Sequence, residues 1–274
     1  MEKGFKIKFD KNTIEHLGVK LYSSLPPVIS ELISNSYDAD AENVEIKIDY
    51  DKKIVTVWDD GVGMNHDELN DHFLKIGRNR RKEEGNGLSK NKKRKVTGKK
   101  GLGKLAVFGI AKTIEVHSVK DNFENSFVMN YDKLKSEEKD EYMPEILKEN
   151  QEINTSSHTI IVIRDIIQKN IMNIDELAYS LSKRFSFYDS GFRVKLVNEN
   201  TNEEIEITKS LYFEKLEKEF EWSFPEDFEN EFKDYEWFVW LKSKNVTGKI
   251  YTKKTPLSKS EWYEPLKLDN KIQN

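Results

Sequence analysis

The chain has 274 residues, of which 36% are hydrophobic and 34% are charged, with a formal net charge of −4 at pH 7. This length suits one large or two ordinary domains, and the charge excludes a global basic field that would attract nucleic acid or a membrane. Because cysteine is absent, disulfides, thiolate metal sites and cysteine nucleophiles are excluded. No apolar run could span a bilayer, and the N-terminal residues MEKGFKIKFD lack the apolar core of a signal peptide, so we expect a cytoplasmic protein without membrane contact.

The segment PVISELISNSYDAD, from Pro27 to Asp40, predicts an amphipathic helix. Glu31, Asn35 and Asp38 recur at i, i+4 and i+7 and therefore share its polar side. Such a stripe can bind water and a hard cation, and a carboxylate in it can act as a general base. By itself the pattern also fits a surface helix with a solvated polar face.

Two alternating segments, VEIKID from Val44 and IVTVW from Ile54, predict an antiparallel strand pair joined by a short turn. The second strand leads directly into DDGVGM, which begins at Asp59. A carboxylate at a strand end can accept a hydrogen bond from an exocyclic amine such as that of adenine. Gly61 and Gly63 allow positive φ and the close approach of a flat ligand. Alone, this DxGxG pattern also fits a plain tight turn.

The next predicted helix, His66 to Ile76, is followed by a polar and strongly basic segment at residues 77–97. Loops of this length inside a compact domain are usually lids or disordered segments. Its basic run, Lys90 to Lys95, suits contact with the phosphates of a nucleotide or of nucleic acid, and it also fits a solvated loop.

A glycine-rich segment, GKKGLGK from Gly98 to Lys104, precedes a predicted helix with the sequence LAVFGIA. Glycines ahead of a helix expose backbone N–H groups, which together with the helix dipole form an anion site. The spacing is close to that of a P-loop, GxxxxGK[ST], but Leu105 stands where the magnesium-binding hydroxyl belongs and no clear strand precedes it. We therefore reject a P-loop and interpret the segment as GxxGxG following a lid.

The motifs ELISNSYDADA, WDDGVGM and TGKKGLGKLA occur in a fixed order. In that order the chain resembles the GHKL ATPase superfamily, which includes gyrase B, the ninety-kilodalton heat-shock chaperones, MutL, histidine kinases and MORC proteins. MORC-like and chaperone-like bacterial members look nearest. The resemblance covers residues 28–108 and extends more weakly to residue 186. It implies an α+β fold, the two-layer α/β sandwich called the Bergerat fold, with a mixed, mostly antiparallel sheet and the nucleotide between sheet and helices.

The resemblance also implies a role for each matching residue. Glu31 looks like the general base that activates water, Asn35 like the magnesium ligand, and Asp38 like the helix-end carboxylate near the nucleotide. Asp59 looks like the acceptor of the adenine amine, and Thr159 matches a threonine near adenine, although HTIIVI also reads as an ordinary core strand. The implied ligands are ATP and Mg²⁺. The pocket wall and the phosphate loop are implied to contain Gly61, Gly63, Met64, Gly98, Gly101, Leu102, Gly103 and Lys104.

Beyond the third motif, Thr113–Val119, Ser126–Tyr131 and Thr159–Arg164 read as strands, and Ile174–Phe185 reads as a helix. The polar stretch at residues 132–157 reads as an insertion or loop with a short helix. We take residues 1–188 as the ATP-binding domain.

From residue 189 the chain consists of strand-like segments separated by acidic stretches, and we expect a transducer-like second domain at residues 189–274. Its predicted strands are FRVKLV, EIEI, EWFVWLKSK and GKIYTKK. Its dense aromatics favour a small second core, and they also fit a partner surface. In chaperone, MutL and MORC relatives such a domain supplies a basic residue to the γ-phosphate. The candidates here are Lys242, Lys244, Lys249, Lys253 and Lys254. We expect this domain to be incomplete and the chain to be a fragment of a longer protein.

The resemblance implies Mg²⁺-dependent ATP hydrolysis that drives lid closure and N-terminal homodimerisation. The protein would then be a nucleotide-gated clamp or switch acting on nucleic acid or protein clients, in settings such as bacterial defence or DNA transactions. A histidine kinase is disfavoured, because those enzymes usually lack the hydrolytic Glu31 and no hairpin with a phospho-accepting histidine precedes the domain. A non-hydrolysing nucleotide-sensing or nucleic-acid-binding module that uses the basic lid is the third hypothesis.

Overall fold

The computed structural model describes residues 7–8, 23–75, 88–91, 94, 103–137, 141–184, 191–214 and 218–253. The chain divides into two compact units, Met1–Thr208 and Lys209–Asn274. The sequence placed a boundary at residue 188, but residues 193–206 form two strands that hydrogen-bond into the main sheet of the first unit.

The described strands of the first unit are β1 (Ile7–Lys8), β2 (Asn43–Asp49), β3 (Ile54–Asp59), β4 (Ala111–Lys120), β5 (Phe123–Asn130), β6 (Glu141–Tyr142), β7 (Glu145–Glu152), β8 (His158–Ile166), β9 (Arg193–Asn198) and β10 (Glu203–Glu206). Eight of them form one sheet with the strand order β10-β9-β2-β3-β8-β4-β5-β7. All neighbouring strands of this sheet are antiparallel except β2 and β9, which are parallel. The two short strands β1 and β6 pair with each other.

Helices form the second layer of this unit. They are α1 (Leu25–Asp38), α2 (His66–Glu68), α3 (Tyr131–Ser136) and α4 (Ile174–Ser182), with a π-helix at Leu69–Leu74 and a 3-10 helix at Gly103–Gly109. Helix α1 contacts the 3-10 helix and α4, and α4 contacts β9 and β10. The predicted α+β sandwich with a mixed, mostly antiparallel sheet is confirmed.

The sequence pattern explains how these layers meet. Val44, Ile46 and Ile48 of β2 are buried, whereas the alternate residues between them are more exposed, as expected for a strand with one apolar face. On α1 the fully buried residues include Ile29 and Ile33, one turn apart. Complete burial of one such side chain stabilises the fold by about 1.5–3 kcal/mol.

Three local predictions differ from the structure of the first unit. The helix predicted from His66 to Ile76 is a short α2 followed by the π-helix. The helix predicted for LAVFGIA is the 3-10 helix, which ends at Gly109 before β4 begins at Ala111. The stretch at residues 132–157 contains α3 as expected, but it also forms the edge strand β7, whose residues are almost all exposed and show no alternating pattern.

The second unit contains α5 (Lys209–Glu214), β11 (Lys218–Phe224), a 3-10 helix (Glu226–Phe228), α6 (Glu229–Phe232), α7 (Glu236–Ser243) and β12 (Gly248–Lys253), with β11 and β12 antiparallel. The prediction of a strand for EWFVWLKSK is wrong, because Glu236–Ser243 form the helix α7. In the helix, Phe238 becomes the one buried aromatic of this segment and packs its ring at 5.3 Å from that of Phe224. Tertiary packing therefore overrides the strand preference of aromatic residues.

No helix among the described residues is both long enough and apolar enough to cross a membrane.

Candidate functional site

The centre of the site is Asp59, the last residue of β3, whose side chain is buried. Its Oδ1 accepts a hydrogen bond from the backbone N–H of Gly61 at 3.0 Å, and its Oδ2 accepts one from Ser36 Oγ at 2.9 Å. Ser36 lies on the buried side of α1, so this hydroxyl ties the helix to the end of the strand.

Burial raises the pKa of Asp59 to about 6. The hydrogen bonds from Gly61 and Ser36 and the charge of His158 oppose this shift, whereas the neighbouring carboxylate of Asp60 adds to it. A carboxylate offers about four acceptor positions, and the described part of the chain supplies hydrogen bonds to two of them. Asp59 is therefore a desolvated acceptor that can take a further donor.

Two glycines shape the turn after Asp59 and leave no room for side chains. A Cβ atom on Gly61 would lie 2.8 Å from both Ala39 O and Asp59 Oδ1. Gly63 has φ +61°, and a Cβ there would lie 2.0 Å from the backbone oxygen of Val119. The turn thus lies against the C-terminal end of α1 on one side and against β4 on the other. Gly63 has the positive φ that the motif allows, and the close approach of a flat ligand stays a prediction.

Thr159 and Met64 border the same turn. Thr159 is the direct cross-strand partner of Asp59 and is buried. The backbone N–H of Met64 donates to Ser118 Oγ at 2.8 Å, and that hydroxyl lies 3.5 Å from Thr159 Oγ1. The structure therefore brings together Asp59, Gly61, Gly63, Met64 and Thr159, which the sequence placed in one pocket.

Asp60 has a different role from its neighbour. Burial acts to raise its pKa, but hydrogen bonds from the backbone and side chain of Asn43 and from the backbone of Glu42 outweigh it and lower the pKa. Asp60 is therefore a structural carboxylate that fixes the start of β2.

The three residues of the predicted polar stripe lie on α1. Glu31 is half-buried and Asn35 is exposed, four residues apart and thus about 6 Å along the helix axis. Asp38, at the last turn, is buried, with 4% of its surface exposed. Among the described residues no group of three or more His, Asp or Glu side chains could hold a metal ion, so a cation at this stripe would need ligands from a bound molecule as well.

The basic segment is partly described, and it holds one residue whose position the sequence did not indicate. Arg94 is buried, donates to Ala41 O, and lies with its guanidinium 4.5 Å from the ring centre of Tyr37. Asp40 accepts a hydrogen bond from the backbone of Asn91 at 2.7 Å. Arg94 therefore anchors this segment to the end of α1 and is not part of an exposed basic surface.

The phosphate-loop residues are described only in part. Gly98, Gly101 and Leu102 lie outside the described residues, and Gly103 and Lys104 begin the 3-10 helix that contacts α1. Of the lysines predicted to reach a γ-phosphate, Lys242 pairs with Glu229 and Lys249 with Glu221 inside the second unit.

Comparison with known proteins identifies the family. A family model described as "Histidine kinase-, DNA gyrase B-, and HSP90-like ATPase" matches residues 22–159, which include α1, the glycine turn and the start of β8. The chain belongs to this ATPase family. The resemblance drawn from the three motifs is thereby confirmed, and membership supports ATP binding and an ATPase-type activity at the level of the family.

The chain is similar to curated proteins with two kinds of name, a restriction enzyme and a chaperone. HgiDII of Herpetosiphon aurantiacus, provisionally named a type II restriction enzyme, is 32% identical over 204 residues, which are 73% of this chain and 32% of HgiDII. Chaperone protein HtpG of Helicobacter hepaticus is 28% identical over 222 residues, covering 70% of this chain and 35% of HtpG. HtpG of Salmonella paratyphi A is 32% identical over 118 residues, covering 36% of this chain and 19% of HtpG. The chain thus spans about a third or less of the length of these curated relatives.

Sequence reasoning missed two residues of the candidate site. Ser36 follows Asn35 in the first motif, and its place on the apolar side of α1 was a readable signal. Ser118 lies near the C-terminal end of β4, and only the strand register shows that it adjoins Thr159.

Proposed function

We propose that the chain binds ATP with Mg²⁺ and hydrolyses it at the pocket between α1 and the turn after β3. The observation that carries this proposal is Asp59, a buried carboxylate with unused acceptor capacity beside two glycine positions where no Cβ fits. A desolvated acceptor of this kind is unfavourable for stability alone, and it suits the exocyclic amine of adenine. Gly61, Gly63, Met64 and Thr159 would complete the wall around the base.

The proposed hydrolysis depends on the polar residues Glu31, Asn35 and Asp38 of α1. Glu31 would hold the attacking water and take its proton, and Asn35 would offer its amide oxygen to Mg²⁺. Asp38 would border the nucleotide at the last helical turn. When bound, Mg²⁺ would neutralise charge on the phosphates. Gly98, Gly101, Leu102, Gly103 and Lys104 would surround the phosphates.

Replacing Asp59 by asparagine tests the proposed base pocket. The introduced amide can still accept from Gly61 through its oxygen, and its NH₂ group can donate to Ser36 Oγ, whose proton then goes to Leu32 O at 3.1 Å. The fold therefore tolerates the change, but the acceptor for the adenine amine becomes a donor. We expect ATP affinity to fall at least about tenfold in calorimetric titrations. An unchanged affinity would place the nucleotide elsewhere.

We also expect the stability of Asp59→Asn relative to wild type to depend on pH. The pKa of Asp59 is raised from 3.8 to about 6, so the folded state binds a proton more tightly than the unfolded state, and stability falls as pH rises between about 4 and 6. Asp59→Asn should therefore be more stable than wild type at pH 7.5, by at most about 3 kcal/mol, and this gain should shrink as the pH falls below 6. Asp60→Asn is the matched control: the pKa of Asp60 is lowered, so that variant should be destabilised at pH 7.5.

The wider cycle is proposed from the relatives. ATP binding would close the basic segment over the site and favour a homodimer of the N-terminal units. The protein would then act as a nucleotide-gated clamp or switch. The names of the similar proteins, a restriction enzyme and a chaperone, support DNA and protein clients respectively. The second unit would be the transducer-like domain that responds to the nucleotide.

A further inference from the structure

A row of three buried polar side chains crosses the sheet at the proposed pocket. Asp59 of β3 is the direct partner of Thr159 of β8, which is the direct partner of Ser118 of β4. Direct cross-strand partners project from the same face of a sheet, so the three side chains lie side by side. Ser118 is the most deeply buried of the three, with 0% of its surface exposed, against 6% for Thr159 and 7% for Asp59.

The hydrogen bonds of this row fix the direction of its protons. The Met64 N–H can only donate, so Ser118 Oγ accepts at 2.8 Å and its own proton needs another acceptor. Among the described residues, Thr159 Oγ1 at 3.5 Å is the other hydrogen-bond neighbour of Ser118. If Thr159 donated to Ser118 instead, the buried hydroxyl proton of Ser118 would have no acceptor among the described residues, which is costly. Thr159 therefore accepts from Ser118 and keeps its own proton to donate.

We propose that Ser118 is a positioning residue for base selectivity, because it makes Thr159 a hydrogen-bond donor toward the pocket. Together, Asp59 as acceptor and Thr159 as donor match adenine, which offers an amine donor beside a ring-nitrogen acceptor. They oppose guanine, which offers a carbonyl acceptor beside a ring N–H donor. A site with fixed polar groups rejects the mismatched base because those groups are left unpaired. This inference rests on the proposed ATP site and deepens it.

The test compares three nucleotides on matched variants. Ser118→Ala removes the hydroxyl, and Ser118→Thr keeps it. Thr113→Ala is the control, because Thr113 is also a buried hydroxyl of β4 but bonds to Asp165 Oδ2 and Asn130 Nδ2. Dissociation constants for ATP, GTP and purine riboside triphosphate, which lacks the 6-amino group, are measured by calorimetry, and melting temperatures are recorded alongside.

Ser118→Ala should weaken ATP and the purine analogue by the same factor, about tenfold, while GTP changes by less than about threefold. The preference for ATP over GTP then falls. Ser118→Thr should keep this preference, and Thr113→Ala should lower the melting temperature without changing the preference. Asp59→Asn should lose affinity for ATP but not for the analogue, and this difference distinguishes the role of Asp59 from that of Ser118. If Ser118→Ala does not fold, Ser118→Cys, a weak hydrogen-bonding group of similar size, should show the same pattern.

An unchanged preference for ATP over GTP in the folded Ser118 variant, or equal weakening of the binding of all three nucleotides, would overturn the role of Ser118. In that case a loss of ATP affinity in Asp59→Asn would leave the proposed ATP site standing. Wild-type protein that binds none of the three nucleotides would instead overturn the proposed function itself.

Discussion

Replacing Glu31 by glutamine should lower the rate of ATP hydrolysis at least about 100-fold and leave ATP affinity within about threefold of wild type. Glutamine keeps the size of the side chain but cannot take a proton from water. Glu31 is half-buried on α1, one turn before Asn35, and it lies outside the cross-strand row that would hold the base. Its loss should therefore affect the chemical step and not binding. Single-turnover hydrolysis and calorimetric titration measure the two effects separately.

The control for this variant is Glu45→Gln. Glu45 is also a half-buried carboxylate of the first unit, but it lies on β2 and pairs with Lys47 and Lys195. Such surface pairs contribute little to stability, and we expect wild-type hydrolysis in this variant. Turnover that survives in Glu31→Gln would show that the general base is another residue. A loss of ATP binding in the same variant would show that Glu31 serves the binding step.

Replacing Gly63 by alanine should destabilise the first unit by about 3 kcal/mol or more and abolish nucleotide binding. The new Cβ would lie 2.0 Å from Val119 O, and φ +61° is unfavourable for alanine whatever the space. Because the neighbour is backbone of β4, the turn must move, and Met64 would then lose its hydrogen bond to Ser118. Thermal melting and ATP titration of the same preparation measure both losses.

Gly248→Ala provides the matched comparison in the second unit. A Cβ at Gly248 would meet no atom within 4 Å, so we expect melting and ATP binding close to those of wild type. If Gly63→Ala melted within about 2 °C of wild type, the tight approach of the turn to β4 would be wrong.

The turn after β3, which contains Gly61 and Gly63, illustrates how much the sequence could predict. The DxGxG motif indicated that positive φ is allowed here, and Gly63 adopts it, but the motif did not indicate that backbone atoms of Ala39 and Val119 lie against the turn. The strand pair around residues 50–53 and the apolar side of α1 also followed from periodicity, since each element is amphipathic by itself.

Other features depend on distant parts of the chain, which local patterns do not encode. The helix α7 forms because Phe238 packs on Phe224, although its aromatics favour a strand. Arg94 lies in a run of lysines that reads as a solvated loop, yet it is buried against Tyr37 and Phe192. Ser118 joins the pocket only through the register of β4 on β8.

The most direct test of the proposed site is a crystal structure of this chain with Mg²⁺ and a non-hydrolysable ATP analogue. We predict that the adenine amine lies within hydrogen-bonding distance of Asp59 and that the triphosphate runs toward Glu31 and Asn35 on α1. Density for the base at any other position, with Asp59 still bonded only to Gly61 and Ser36, would contradict the account.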